Sequence, residues 1–162
     1  MVAALATIGC DRATKHVATT MLAGLPGQSY LADTVWVGYV ENPGGFLSLG
    51  ASLPPTTRTA LFTVATGIAL VMLVILARRR KSNDLAKFGL TLFVAGGASN
   101  WIDRIMRGSV VDFLNVGVGP VRTGIFNVAD VAIVLGTGIF VLAEFRKDRD
   151  ATCSGCTDDG TA

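Results

Sequence analysis

The sequence predicts a mainly α-helical membrane protein, with four transmembrane helices and a small external sheet. Three observations predict it. Apolar residues make up 51% of the 162 and charged residues only 16%, well under the roughly 25% charged content of a soluble domain. Mean hydropathy is +0.53, more apolar surface than a chain of this length hides in one core. Uncharged runs also end at basic residues, and a stretch of alternating apolar residues interrupts them. The length fits one domain, placed at residues 1–150. Disorder, collagen and coiled coil are excluded by composition. A net charge of +2 gives no footprint for nucleic acid. The single histidine, His16, rules out a histidine-rich metal site.

The first span, about Val2 to Ala23, is the weakest by hydropathy because it carries Asp11, Arg12, Lys15 and His16. A cleavable signal ending at Thr7-Ile8-Gly9-Cys10 is a poor rival. No basic residue precedes it and its apolar stretch is short. Gly24 to Gly27 links this span to the segment Tyr30 to Val40, where Val35, Val37 and Tyr39 recur with period two and predict strand. Asn42-Pro43-Gly44-Gly45 forces a turn. Ala51 to Thr57, with Pro54-Pro55, leads to the second span, uncharged from Thr59 to Ala77. The third, Phe88 to Ile102, is short and bounded by Lys87 and Asp103. Residues 103–124 then form an external loop, and Thr123 to Ala143 make the fourth span, uncharged except for Asp130. The polar tail, residues 151–162, is expected to be disordered.

Basic residues orient the spans. Arg78, Arg79, Arg80, Lys81 and Lys87 fill the connection between the second and third, and Arg146, Lys147 and Arg149 follow the fourth. Lys and Arg gather on the cytoplasmic side, so both termini lie inside and residues 24–57 and 103–124 lie outside.

An Asp near a helix centre in a bilayer costs roughly 2.5–3.5 kcal/mol and needs a partner or a function. Asp11, Asp103, Asp112 and Asp130 are in or beside the spans. Asp11 has Lys15 four residues on, the favourable order for a helix pair. Asp103 has Arg104 and Arg107 beside it, which offers it ion pairs too. Asp112 and Asp130 have apolar neighbours and no basic residue within four positions. Two carboxylates brought together in a poorly solvated site share one proton. The ionised member then activates water, and the protonated member polarises a carbonyl. A proton pathway or helix–helix hydrogen bonding explains two such residues about as well. Asn42, Asn100 and Asn127 have both donors and acceptors to hold a peptide backbone or orient a carboxylate; interhelical hydrogen bonding is the plainer account. Gly96-Gly97-Ala98-Ser99 lets another helix approach closely.

Five blocks in one order carry a resemblance: Asp11-Arg12-Ala13-Thr14-Lys15, Val40-Glu41-Asn42-Pro43-Gly44-Gly45-Phe46, Gly97-Ala98-Ser99-Asn100-Trp101-Ile102-Asp103-Arg104, Gly108-Ser109-Val110-Val111-Asp112-Phe113 and Phe126-Asn127-Val128-Ala129-Asp130. Together they resemble the bacterial signal peptidase II family. The resemblance implies a membrane aspartic protease of four transmembrane helices with an external β-cradle, here about residues 28–50. It implies Asp112 and Asp130 as the catalytic pair. Asn42, Gly44, Asn100, Asp103, Arg104 and Asn127 would bind substrate or support the pair, and Asp11 and Lys15 would play a structural or supporting part. The implied substrate is a diacylglyceryl-modified prolipoprotein, cut just before its lipidated Cys. No cofactor or metal is implied. The setting is the bacterial cytoplasmic (inner) membrane, with the active site near the external face, and the cyclic peptide globomycin is the implied inhibitor. A monomer among membrane lipids is expected.

Two departures from the family pattern stand out. Little chain precedes Asp11, and Gly44-Gly45-Phe46 replaces a Gly-Ala run, a glycine that should loosen the cradle. Cys153 and Cys156 supply only half of a zinc site. The competing functions are a proton-coupled transporter using Asp112 and Asp130 as relays, and a catalytically idle relative that binds globomycin-like peptides. A Ser/Lys protease fits worse, since Lys15 is its only candidate base on the external side.

Overall fold

In the computed structural model of the chain, residues 1–45, 50, 52–79 and 83–155 are described, the last nine as backbone only. Phe46, Arg80, Lys81 and Cys156, all singled out in the sequence, lie outside the described residues.

Among the described residues, four long helices and a four-stranded antiparallel sheet make up the fold. Helix α1 is Val2–Met21. Strands β1, Gln28–Tyr30, and β2, Val35–Asn42, follow. Helix α2 runs Pro55–Arg79 and α3 runs Asp84–Arg107. Strands β3, Val110–Val118, and β4, Val121–Arg122, precede helix α4, Val128–Gly155. Helix α2 and the Val128–Arg146 part of α4 are long and apolar enough to cross a membrane.

Local chemistry sets the helix ends. Pro55 sits in the first turn of α2, where its missing N–H is not needed. Asn83 caps α3, its Oδ1 accepting from Ala86 N at 2.7 Å. Gly108 ends the helix at φ 74°, its N–H donating to the Arg104 carbonyl. Helix α3 is longer at both ends than the Phe88–Ile102 span, because no breaker lies between Asn83 and Gly108 and the charges at Asp103 and Arg104 find partners. The fourth helix starts later than Thr123, because Thr123 and Phe126 hydrogen-bond to β3 instead. It also continues to Gly155, into the segment expected to be a disordered tail. Residues 144–152 contain no glycine or proline to stop it. Residues 156–162 lie outside the described residues.

Helices α3 and α4 make the closest packing. A Cβ on Gly96 would lie 2.4 Å from the Ala129 carbonyl oxygen, and one on Gly136 would lie 2.5 Å from that of Gly89. The small residues therefore let the two backbones touch at two levels, as the Gly96-Gly97-Ala98-Ser99 run predicted. Helix α2 contains a π-helical segment, Ala60–Ala65. Within it the Thr63 carbonyl accepts from Trp101 Nε1 at 2.7 Å, which fastens α2 to α3.

The sheet is larger than the sequence suggested, since residues 110–118 and 121–122 are strand rather than loop. Its order is β1-β2-β3-β4. Between β2 and β3 the register pairs Val37 with Leu114 and Val40 with Asp112, so β2 carries one extra residue there. The bulge changes the face on which later side chains lie. Val40 and Asn42 join the face of Val35 and Val37, and Asp112 shares it. Val111 and Phe113 point the other way and are buried against Ala18 of α1 and Tyr39.

Candidate active site

The site forms where the sheet meets the helix bundle, and backbone bonds place its parts. The Phe126 carbonyl accepts from the N–H groups of Phe113 and Leu114, and the Phe126 N–H donates to the Leu114 carbonyl. This bridge holds Asn127 beside β3. Asn127 then caps α4. Its Oδ1 accepts from Asp130 N at 3.0 Å, and its own backbone N donates to Asp130 Oδ2 at 3.2 Å. The exchange is a capping box with Asp in the Glu position. Its remaining donor, Nδ2, reaches Asp112 Oδ1 at 2.6 Å. One residue thus ties both carboxylates together.

Each carboxylate has a second amide. Asn42 Nδ2 donates to Asp112 Oδ2 at 2.8 Å and to the Gly45 carbonyl at 3.0 Å. Asn100 Nδ2 donates to Asp130 Oδ1 at 2.9 Å. Asp112 and Asn127 are buried, and Asp130 is half-buried. Burial pushes the Asp112 carboxyl up to about 6, against the pull of the Asn42 hydrogen bond, and the nearby charge of Asp130 adds to the rise.

The Asn42–Gly45 turn faces the pair. Asn42 Oδ1 accepts from Gly44 N at 3.0 Å, and the Gly44 carbonyl accepts from Arg104 Nη2 at 2.7 Å. Arg104 lies over the Phe62 ring, 5.9 Å from its centroid. Its Nε is buried without a hydrogen-bond partner among the described residues. The extra glycine does not leave this turn slack. A Cβ on Gly45 would lie 2.7 Å from the Phe62 ring, so glycine there permits close packing on α2.

Beneath the pair lies a buried ionic cluster. Lys15 Nζ is 2.7 Å from Asp11 Oδ2 and 2.7 Å from Asp103 Oδ2, and Arg12 Nη1 is 2.5 Å from Asp103 Oδ1. The Asp11–Lys15 pair is as the sequence predicted. Asp103 is paired differently. Its partners are on α1, whereas neighbouring Arg104 turns to Gly44. The reason is helical geometry: adjacent residues on a helix point to different faces. Asp11 also accepts from Ser99 Oγ at 2.6 Å and from Ala129 N at 2.8 Å, joining α1, α3 and the first turn of α4. Lys15 donates further to Asn100 Oδ1 at 2.7 Å.

All ten candidate site residues named from the sequence are therefore linked in one network. Arg12 and Ser99 complete it without having been singled out. Their signal was present in the quoted blocks, since both lie one residue from a candidate.

Fold and site define a helical membrane enzyme with one buried and one half-buried carboxylate, both amide-held, at one end of its bundle. Residues 3–146 match the family model for signal peptidase (SPase) II, and the chain belongs to that family. Its members are proteases. A lipoprotein signal peptidase of Desulforapulum autotrophicum is 35% identical over 135 residues, covering 83% of each chain. One of Borrelia duttonii is 32% identical over 146 residues, covering 86% of this chain and 85% of that one. One of Sphingopyxis alaskensis is 35% identical over 133 residues, covering 81% and 76%. In fold, the chain is similar to a bacterial membrane enzyme solved by the in meso method at 2.3 Å resolution. The TM-score is 0.77 at 24% identity, over 99% of this chain and 92% of that one.

Proposed function

We propose that this protein is an aspartic endopeptidase that removes the signal peptide from diacylglyceryl-modified prolipoproteins, cutting just before the lipidated Cys. Its curated relatives carry the name lipoprotein signal peptidase, which supports the substrate class. The observation that carries the chemistry is Asn127, which donates to Asp112 through its side chain and to Asp130 through its backbone.

In this scheme Asp112 holds the shared proton, because burial disfavours its charged form and the nearby charge of Asp130 adds to the effect. Asp130 takes a proton from water, whose oxygen attacks the scissile carbonyl carbon. Asp112 donates its proton to the carbonyl oxygen as charge builds there. Collapse of the tetrahedral intermediate breaks the C–N bond, and a proton from the pair passes to the leaving amine. A signal peptide is helical in the bilayer and must unwind locally to reach this site. The freed backbone groups then need protein partners. Asn42, Gly44 and Arg104 border the pair, and Arg104 Nε is an unsatisfied donor for a substrate carbonyl.

All four helices span the membrane in this reading. The charges of α1 and α3 pair across the bundle, which offsets part of the penalty that hydropathy assigns them. Both termini are cytoplasmic, and the site lies near the external face of the bacterial inner membrane, open to lipid tails from the side and to water from outside. The unit from residue 1 to about 150 works as a monomer without metal or cofactor. The transporter reading lacks support of this kind, because both carboxylates lie at one end of the bundle.

The test is cleavage of a diacylglyceryl-modified prolipoprotein by the purified protein in detergent, read as a gel shift, with globomycin as an inhibited arm. Wild type should cut, while folded Asp112→Asn and Asp130→Asn should not. Either variant cutting at the wild-type rate would overturn the mechanism. A wild type that fails on a substrate cut by an active relative would leave the idle-relative reading in its place.

A further inference from the structure

Two apolar clefts flank α2 at the end of the bundle away from the carboxylates. One, about 500 Å³, lies between α1, α2 and α3 and is walled by Ile8, Val74, Ala77, Leu90 and Val94. The other, about 340 Å³, lies between α2, α3 and α4 and is walled by Leu73, Phe93 and Phe140. They share Ala77 and Leu90, so they run down either side of one helix. The first alone has charged lining, Arg78 and Lys87. Both residues are exposed. Among the described residues Lys87 has one ion pair, with Asp84 at 3.0 Å, and Asp84 is itself exposed. So exposed a pair is weak and yields to a stronger anion.

We propose that these clefts bind one anionic phospholipid of the cytoplasmic leaflet, its phosphate held by Arg78 and Lys87 and its two acyl chains lying on either side of α2. The proposal rests on the membrane orientation given above and not on the protease chemistry. Charge complementarity selects the occupant. Basic pockets between helices on the cytoplasmic side suit anionic headgroups, and arginine holds a phosphate bidentately. A signal peptide fits worse, because its positively charged N-terminal region would meet Arg78 and Lys87 at the same depth. The consequence is a lipid wedge that steadies α2 where Leu73, Leu76 and Ala77 line a cleft.

The test uses the purified full chain, delipidated in detergent and titrated with dioleoyl phosphatidylglycerol or dioleoyl phosphatidylcholine, with bound lipid counted by native mass spectrometry. The expected result is one phosphatidylglycerol retained with about tenfold preference. Arg78→Gln with Lys87→Gln should reduce that preference to less than about twofold. Val94→Trp should abolish retention with both charges in place. Equal retention of the two lipids, an unchanged preference in the double variant, or full retention by Val94→Trp would each overturn the proposal. So would one-for-one displacement by a signal-peptide helix, which would assign the cleft to substrate. A wild type that binds the lipid selectively but cuts no prolipoprotein would refute the protease reading and leave this one standing.

Discussion

Lys15 Nζ lies 2.7 Å from Asn100 Oδ1, and this contact fixes which way the Asn100 amide faces. An ammonium has only donors, so the oxygen must turn toward Lys15 and the NH2 group toward Asp130. A residue of α1 thereby orients one carboxylate of the pair through an intermediary. Lys15→Met removes the anchor and also takes the shared cation from Asp11 and Asp103. Breaking a buried ion pair from one side costs about 3–5 kcal/mol. The variant should melt well below wild type in detergent, and its folded fraction should cut at least about tenfold more slowly. Full activity per folded molecule would mean that the 3.3 Å contact from Asn127 Nδ2 orients the amide alone.

The pH profile should carry the signature of Asp112. Its carboxyl is raised from an ordinary 3.8 to about 6, mainly by burial, with Asp130's charge adding to the rise. A shared proton is thus lost as pH rises through about 6, and kcat/KM should fall on that limb. The Asn42 hydrogen bond works in the opposite direction, so Asn42→Ala should move the limb upward. The sign for stability is the same. A raised carboxyl contributes stability that is fully present below 3.8 and lost as pH rises through about 6. The span corresponds to roughly 3 kcal/mol. Asp112→Asn, which cannot ionise, should therefore gain on wild type in Tm between pH 4 and pH 8. A constant difference across that range would refute the shift.

The helices, the turn at Asn42 and the carboxylates were legible in the sequence because each is a local signal: an apolar run, a Pro-Gly-Gly step, an Asp among apolar residues. Asp11 and Lys15 were legible as a helix pair for the same reason. Asp103 was not, since its partners lie on α1 and no spacing rule within α3 points there. The second half of the sheet was missed because Asp112 and Asn115 interrupt the apolar pattern of β3, although Val110, Leu114 and Val116 share a face. The bulge between Val37 and Val40 was hidden for a further reason. Period-two reading places Val35, Val37 and Tyr39 together, whereas the extra residue moves Asn42 onto the face of Asp112. The phase change that builds the site is thus the feature that breaks the pattern.

Arg104 connects the bundle to the turn through the Gly44 carbonyl. A charge-assisted hydrogen bond of this kind contributes about 1.5–3 kcal/mol. Arg104→Ala frees the turn and removes the donor proposed for a substrate carbonyl, so KM should rise about tenfold or more. Arg104→Lys retains the charge but loses the fork, and it should fall between the two. If kcat falls while KM stays constant, Arg104 acts on the transition state and not on binding.

Glycine positions separate helix packing from helix propensity. A Cβ at Gly96 would lie 2.4 Å from the Ala129 carbonyl oxygen. That oxygen is backbone and cannot swing aside, so Gly96→Ala must push α4 away from α3 one residue from Asp130. The same residue's N–H donates to Asp11, so displacement also strips the ionic cluster of a partner. Activity should fall by more than about tenfold, and Tm should fall with it. Gly97→Ala meets only the flexible end of Leu70 at 2.9 Å and should be milder. Gly138→Ala meets nothing within 4 Å. In a helix interior that exchange favours alanine by up to about 1 kcal/mol, so the variant should be fully active and slightly more stable. Measuring cleavage rate and Tm on all three would distinguish the effects. Equal behaviour of Gly96→Ala and Gly138→Ala would mean that the close approach of α3 and α4 does not position Asp130.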